Sequence, residues 1–284
     1  MGRLRFRGAL DWTAMLEYFR TRAIGGVESV DGDAYRRTIE IDGRAGVLEL
    51  RPVADGALRL TAHLPDGRGL TDVAARARRI FALDHDPADV NARLGDDPLL
   101  AAAVARHPGM RVPGTWDPYE TGVRAIVGQQ VSVRGASTVT ARIVQRAGRP
   151  VAGFEHLGLT HTFPAPATLA QADLGTIGMP AARVAAIHAF ARAVDEGHVP
   201  LDGGLPLDEL MAAITAVPGL GPWTASYLAL RMGEADAFPA SDLGLRRAAG
   251  RGGDPLSAAV LLDRAEVWRP FRAAAAVRLW MSDT

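Results

Sequence analysis

The 284-residue chain contains neither cysteine nor lysine. Without cysteine it can form no disulfide and can hold neither a cysteine-ligated zinc nor an iron–sulfur cluster. Without lysine, every reaction that runs through a Schiff base on a lysine ε-amine is closed to it. All 32 basic side chains are arginine, and the formal net charge is zero. No bulk positive field therefore advertises a polyanionic partner, and any charge argument rests on distribution. No apolar run approaches the roughly 20 residues that a membrane-spanning helix needs. The opening residues Met1-Gly-Arg-Leu-Arg-Phe-Arg are basic, but no long apolar segment follows them. The expectation is no secretory signal, no membrane partner and a cytoplasmic location.

What is present is apolar enough for sizeable cores, at 48% hydrophobic residues, and the length suits two domains. Asp11 precedes an amphipathic pattern that predicts a helix over 11–24. Strands are expected over Tyr35–Ile41, Gly46–Arg51 and Ala57–His63, with Asp42-Gly43 and Asp55-Gly56 as hairpin signals. Helices are expected over 71–83, 87–94 and 98–107, covering one face of an open antiparallel sheet. His107-Pro108-Gly109 and Pro113-Gly114 punctuate the chain, which places a boundary between a mixed domain, 1–113, and a second domain, 114–284. From Trp116 onward the pattern is helical. Asp117-Pro118-Tyr119-Glu120 opens a helix running to about Val131. Others are expected over 132–147, 167–171, 179–196, 255–266 and 270–281. The fold class is therefore α+β: an antiparallel sheet with helices, then an all-α domain.

Residues 210–230 organise that second domain. Leu210, Ile214 and Val217 share one face of a helix, which Pro218 stops. Gly219 and Gly221 permit a tight turn, and Pro222 suits the first position of the next helix. Ala225, Leu228 and Ala229 let the two helices pack closely. The result is a helix–hairpin–helix whose second helix points free N–H groups, and the positive end of its dipole, out of a glycine-rich turn. That geometry suits a backbone phosphate; an ordinary αα-hairpin is the alternative reading. Arg124, Arg134, Arg142, Arg146 and Arg149 lie in a stretch without acidic residues, and Arg246, Arg247 and Arg251 lie further on. These are either a basic track for a polyanion or solvated helix faces.

Shortly after the hairpin, Ala237-Phe238-Pro239-Ala240-Ser241-Asp242-Leu243-Gly244-Leu245 places a carboxylate at a helix start. With this spacing the chain resembles the helix–hairpin–helix DNA glycosylases, and within them the bacterial 3-methyladenine-DNA glycosylase II family. The similarity also covers Tyr119–Val133, Leu174–Arg183 and Ala265–Trp280, and more weakly Met15–Val30 and Arg79–Pro87 in the first domain. The resemblance implies that Asp242 stabilises the sugar cation formed as a flipped-out base departs; read alone, it is a helix cap. It implies a base pocket of Tyr18, Gln129, Trp223, Tyr227 and Trp280, whose electron-rich rings suit cationic alkylated bases. For each ring the alternative is core packing, the role assigned to Trp12, Trp116 and Trp268. Gln130 stands where the family drives a wedge into the duplex, although a relative in that family has a leucine there. Gly244 replaces a bulkier apolar residue of the pocket wall.

The resemblance further implies phosphate contacts from backbone N–H groups near Gly219, Gly221 and Thr224. It also implies a structural sodium or potassium ion held by the carbonyls of Thr215, Val217 and Leu220. No other cofactor is expected. Relatives that also cut the strand carry a lysine where this chain has Trp223, so hydrolysis leaving an abasic site is the expected outcome. The expected partner is double-stranded DNA containing alkylated bases, 3-methyladenine first and 7-methylguanine next, bound by a monomer. Two alternatives remain open at this point: a glycosylase for deaminated or oxidised bases, and a non-catalytic helix–hairpin–helix DNA-binding protein.

Overall fold

The computed structural model describes residues 1–282. Its first part is a five-stranded antiparallel sheet in the order β1-β5-β4-β3-β2. The strands are β1 (Gly2–Arg5), β2 (Glu28–Asp31), β3 (Ala34–Ile41), β4 (Arg44–Val53) and β5 (Ala57–His63). The three central strands are those expected. The edges β1 and β2 are four residues each, too short to carry a visible alternation. Tyr35, Leu50 and Leu60 lie in register across β3, β4 and β5. They face a core built with Met15, Leu16 and Phe19 of α1 (Trp12–Arg20) and Val73, Ala77 and Ile80 of α2 (Leu70–Ile80). On the opposite face, Val47 packs on Val151 and Leu159 from the irregular stretch over 148–165. Helix α1 ends earlier than its periodicity suggests because Ile24 leaves for a separate small core with Val27 and Val144.

Helices α3 (Pro87–Leu94) and α4 (Ala101–Arg106) lead to the linker at Pro113-Gly114. The two cores exchange residues across it. Leu94, Leu100 and Val104 join the helical core, whereas Trp116 and Val277 join the sheet core. The linker is pinned, not loose: the Gly114 N–H donates to the Ile80 carbonyl at 2.9 Å. A Cβ at Gly114 would lie 2.1 Å from the Arg79 oxygen, so no side chain fits there.

The second part is helical: α5 (Pro118–Gly128), α6 (Val133–Ala147), α7 (Pro166–Leu169), α8 (Ala181–Asp195), α9 (Leu207–Thr215), α10 (Pro222–Met232), α11 (Leu243–Gly250), α12 (Ala258–Arg264) and α13 (Arg272–Ser282). Asp117 caps α5, accepting from Tyr119 N at 2.8 Å. That helix stops at Gly128, short of Val131, because Gln130 adopts a left-handed backbone with φ 59°. Helices α9 and α10 form the expected hairpin, with Leu210, Ile214, Val217, Ala225, Leu228 and Ala229 all buried in its core. The turn needs Gly219, whose φ is +87° and whose added Cβ would lie 2.6 Å from Cβ of Ala186 on α8. We expect Gly219→Ala to cost at least about 1–2 kcal/mol from the backbone conformation alone. A lowered Tm together with weaker DNA binding measures it.

A cluster of four charges joins the two parts. Arg37 of β3 donates to Glu120 of α5 at 2.5 Å, and Arg124 of α5 to Glu28 of β2 at 2.9 Å. Arg37, Glu28 and Glu120 are buried, and Tyr35 Oη donates to Glu28 at 2.7 Å. Burial works against ionisation of Glu28, but Arg124, Arg37 and the Tyr35 hydroxyl outweigh it and hold its carboxyl below the usual range. Burial prevails at Glu120 and raises it despite Arg37, with the neighbouring Glu28 charge adding to the rise. The two carboxylates are thus unequal, Glu28 being the better compensated.

Candidate active site

The sheet domain, the α5–α6 connection, the hairpin and the start of α11 surround a cleft of about 930 Å³. Tyr18, Gln129, Gln130, Gly221, Trp223, Thr224, Tyr227, Asp242 and Trp280 all line it. The side chains singled out from the sequence for base, wedge and catalysis are therefore brought together. Of the phosphate-turn residues, Gly219 lies at the turn itself, just outside that lining.

Asp242 sits at the N-terminus of α11 and fills both readings made of it. As a cap, its Oδ1 accepts from Leu245 N at 3.0 Å. As a held carboxylate, Oδ1 also accepts from the indole Nε1–H of Trp280 at 3.0 Å, and Oδ2 accepts from that of Trp223 at 2.9 Å. Three donors and a helix N-terminus thus fix an anion in one orientation at the cleft wall. Gly244 stands beside it; a Cβ there would lie 3.1 Å from Asp242 Oδ1 and 3.5 Å from the Trp280 ring.

The floor is aromatic. Trp223 and Tyr227, one turn apart on α10, stack with ring centroids 5.5 Å apart at 11°. Trp280 meets Tyr227 edge-on at 6.1 Å. Tyr18 reaches the same floor from α1, with the Arg22 guanidinium 3.9 Å over its ring. Behind the two phenols lies Arg231, buried and not foreseen from the sequence. One of its terminal nitrogens donates to Tyr18 Oη at 3.1 Å and to Tyr227 Oη at 2.9 Å. Its remaining nitrogens donate to the linker carbonyls of Pro113 at 2.6 Å and Gly114 at 2.7 Å. The one available signal was a charged residue four positions after Tyr227 on an otherwise apolar helix face. Burial pushes the Tyr227 phenol up, but Arg231, Arg22 and Arg124 together with a hydrogen bond from Tyr18 bring it down to about 8. Tyr18 is raised, chiefly by burial.

Gln129 and Gln130 occupy a loop, not the helix end that the periodicity suggested. Gln129 Nε2 donates to the Gly219 carbonyl at 3.3 Å and to Thr224 Oγ1 at 3.2 Å, tying this loop to the hairpin turn. Gln130 is exposed, held out by its left-handed backbone. The Thr224 side chain is buried with its Oγ1 accepting from Gln129, and the first-turn N–H groups of α10 are offered to a ligand. Within the basic stretch most arginines have partners in the protein, while Arg134 is exposed. Arg124 is in the interdomain cluster, Arg142 donates to Ile177 O, Arg146 to Asp173 and Arg149 to Gly43 O. Arg246 and Arg251 likewise bond backbone carbonyls. Exposed Arg247 lines the cleft.

Thr215 ends α9, and Val217 and Leu220 lie in the turn that follows it. Val217 O accepts the Leu220 N–H at 3.1 Å, which leaves it one lone pair. An all-oxygen set at the negative end of a helix fits a hard monovalent cation. Among the described residues no group of three or more His, Asp or Glu side chains is arranged for a metal ion. Among them too, no helix is long and apolar enough to cross a membrane.

The model of the AlkA N-terminal domain matches residues 2–117, and that of the HhH-GPD superfamily of base excision DNA repair proteins matches residues 123–254. The chain is 40% identical over 279 residues to a Mycobacterium tuberculosis protein described as a probable bifunctional transcriptional activator/DNA repair enzyme AlkA. That match covers 98% of this chain and 56% of the relative, so the chain spans about half the length of that relative. It is 35% identical to DNA-3-methyladenine glycosylase 2 of Escherichia coli, covering 99% of this chain and 96% of that protein. Among solved structures, a 3-methyladenine DNA-glycosylase from Archaeoglobus fulgidus superposes with a TM-score of 0.87 at 24% identity, covering 100% of this chain and 98% of the other.

Proposed function

The chain belongs to the DNA-3-methyladenine glycosylase 2 family of helix–hairpin–helix base excision repair proteins, and from that premise we propose that it is a monofunctional DNA glycosylase for alkylated purines. The observation that carries this reading is the Asp242 carboxylate, held by two indole N–H groups at the wall of a cleft floored by aromatic rings. The hairpin grips the backbone of duplex DNA through α10 N–H groups near Gly219, Gly221 and Thr224. Gln130 enters the duplex, and the damaged nucleotide turns into the cleft. A cationic base such as 3-methyladenine or 7-methylguanine stacks on Trp223, Tyr227 and Trp280, each such contact being worth roughly 0.5–2 kcal/mol. As the C1′–N bond lengthens, positive charge grows on the sugar and Asp242 opposes it. Water then completes hydrolysis, leaving an abasic site. With no lysine in the chain, no lysine Schiff base forms to cut the strand. The backbone carbonyls of Thr215, Val217 and Leu220 would hold a sodium or potassium ion, which would stiffen the hairpin, and one chain supplies one pocket.

The test is incubation with bulk methylated duplex DNA. Free 3-methyladenine should appear in solution, and the DNA should become alkali-labile without being cut beforehand. DNA binding without any released base would support a binding module instead.

Trp280→Phe keeps the ring but removes one donor to Asp242. Hydrogen bonds to charged groups are worth about 1.5–3 kcal/mol. A fall in the single-turnover rate of roughly 10- to 100-fold is therefore expected. DNA affinity should change much less, and a gel-shift titration beside the rate measurement separates the two.

A further inference from the structure

The rim of the cleft carries a residue in an uncommon conformation. Gln130 lines the cleft with a left-handed backbone, φ 59°, which few residues other than glycine adopt. Such residues cluster where a site makes use of them. The chain is fastened on either side of it. Gln129 Nε2 donates to the Gly219 carbonyl and to Thr224 Oγ1 on the hairpin. Ser132 caps α6, its Oγ accepting from Gly135 N at 3.1 Å. Between these anchors Gln130 and Val131 are exposed. The Gln130 carboxamide has no hydrogen-bond partner among the described residues. A fixed loop therefore holds out one free acceptor, Oε1, and one free donor group, Nε2.

We propose that Gln130 reads the base left behind in the duplex, its carboxamide pairing with the Watson–Crick edge of the orphaned pyrimidine. This role rests on the glycosylase reading, in which Gln130 enters the duplex. A purine that turns out of the stack strands a pyrimidine whose polar edge has lost its partner, and a polar group left unpaired away from water is costly. Thymine presents its N3–H beside a carbonyl oxygen. Cytosine presents the N3 acceptor beside an amino group. A carboxamide has an acceptor and a donor side by side, so it can serve both. Against thymine, Oε1 accepts from N3–H and Nε2 donates to the carbonyl oxygen. Turned over about its last torsion, it meets cytosine, with Nε2 donating to N3 and Oε1 accepting from the amino group. Val131, exposed beside it, adds no competing polar side chain. A leucine at this position would fill the gap and leave either pyrimidine unpaired. The choice of glutamine thus makes the base opposite the lesion part of what the site recognises.

The test measures the coupling between this side chain and the opposite base. One strand with a single 7-methylguanine is annealed to three complements. They carry cytosine, thymine or difluorotoluene opposite the lesion, the last being a thymine-shaped ring without Watson–Crick hydrogen-bonding groups. Single-turnover base release is measured for wild type and for Gln130→Leu. The strength of the original pair affects how readily the lesion turns out, but it does so for both proteins and cancels in the ratio. For each pyrimidine, the rate relative to difluorotoluene should be at least about fivefold higher in wild type than in Gln130→Leu, as two hydrogen bonds require. A smaller quotient for either pyrimidine overturns the proposal. Gln130→Gly suits the left-handed backbone and removes the carboxamide. It should lose the same coupling, and it decides the matter if the leucine variant does not fold. Release from all three duplexes without coupling removes this inference alone. Release from none of them by wild type overturns the glycosylase reading, and this inference with it.

Discussion

Asp242→Asn is expected to retain the fold and DNA binding while lowering single-turnover release of alkylated base by roughly 10²–10³-fold, the range found when one preorganised electrostatic partner is removed. Asparagine is as good a helix cap as aspartate, so the bond to Leu245 N survives. What disappears is the negative charge. In addition, one carboxylate oxygen becomes an NH₂ group that cannot accept from an indole N–H. One of the two tryptophan contacts therefore turns from attraction to a clash of donors. Thermal melting checks the fold, a gel shift checks binding, and quenched-flow or manual single-turnover sampling reads the rate. A rate within about threefold of wild type would leave Asp242 as a cap only.

Arg37→Met carries the largest expected effect on stability. Arg37 donates to Glu120 at 2.5 Å and lies 3.7 Å from Glu28. Removing it leaves two buried carboxylates sharing Arg124. Breaking one side of a buried charge cluster typically costs about 3–5 kcal/mol, because the remaining charge is stranded. For a chain of this size that corresponds to a Tm lower by roughly 10 °C. The cluster also holds β2 and β3 against α5, and Arg124 itself bonds the Arg22 carbonyl next to the cleft. Base release should therefore fall as well, through misplacement of Tyr18 and Arg22. Differential scanning fluorimetry reads the first effect. A Tm within about 2 °C of wild type would show that the cluster is dispensable.

The fold was largely legible because its strongest signals are local. Asp-Gly pairs mark the β3–β4 and β4–β5 turns, and Pro218-Gly219 with Pro222 marks the hairpin between α9 and α10. The edge strands β1 and β2 were not, since each is only four residues long and is defined by its partner. Asp242, Trp223, Tyr227, Trp280 and Tyr18 were found through the spacing around the hairpin and the family resemblance, and one cleft contains them all. Arg231 was missed because its role depends on partners about two hundred residues away in Tyr18 and over one hundred away in Pro113. The basic stretch stayed open between two readings for the same reason. Charge is visible in a sequence, but whether Arg142 or Arg149 is free depends on carbonyls at Ile177 and Gly43.

The most direct test of the central claim is the mass spectrum of a duplex carrying one 7-methylguanine after incubation with the wild-type protein. The account predicts free 7-methylguanine together with a full-length strand lighter by that base, uncut until alkali is added. A strand that remains bound to the protein with its base still attached would contradict it.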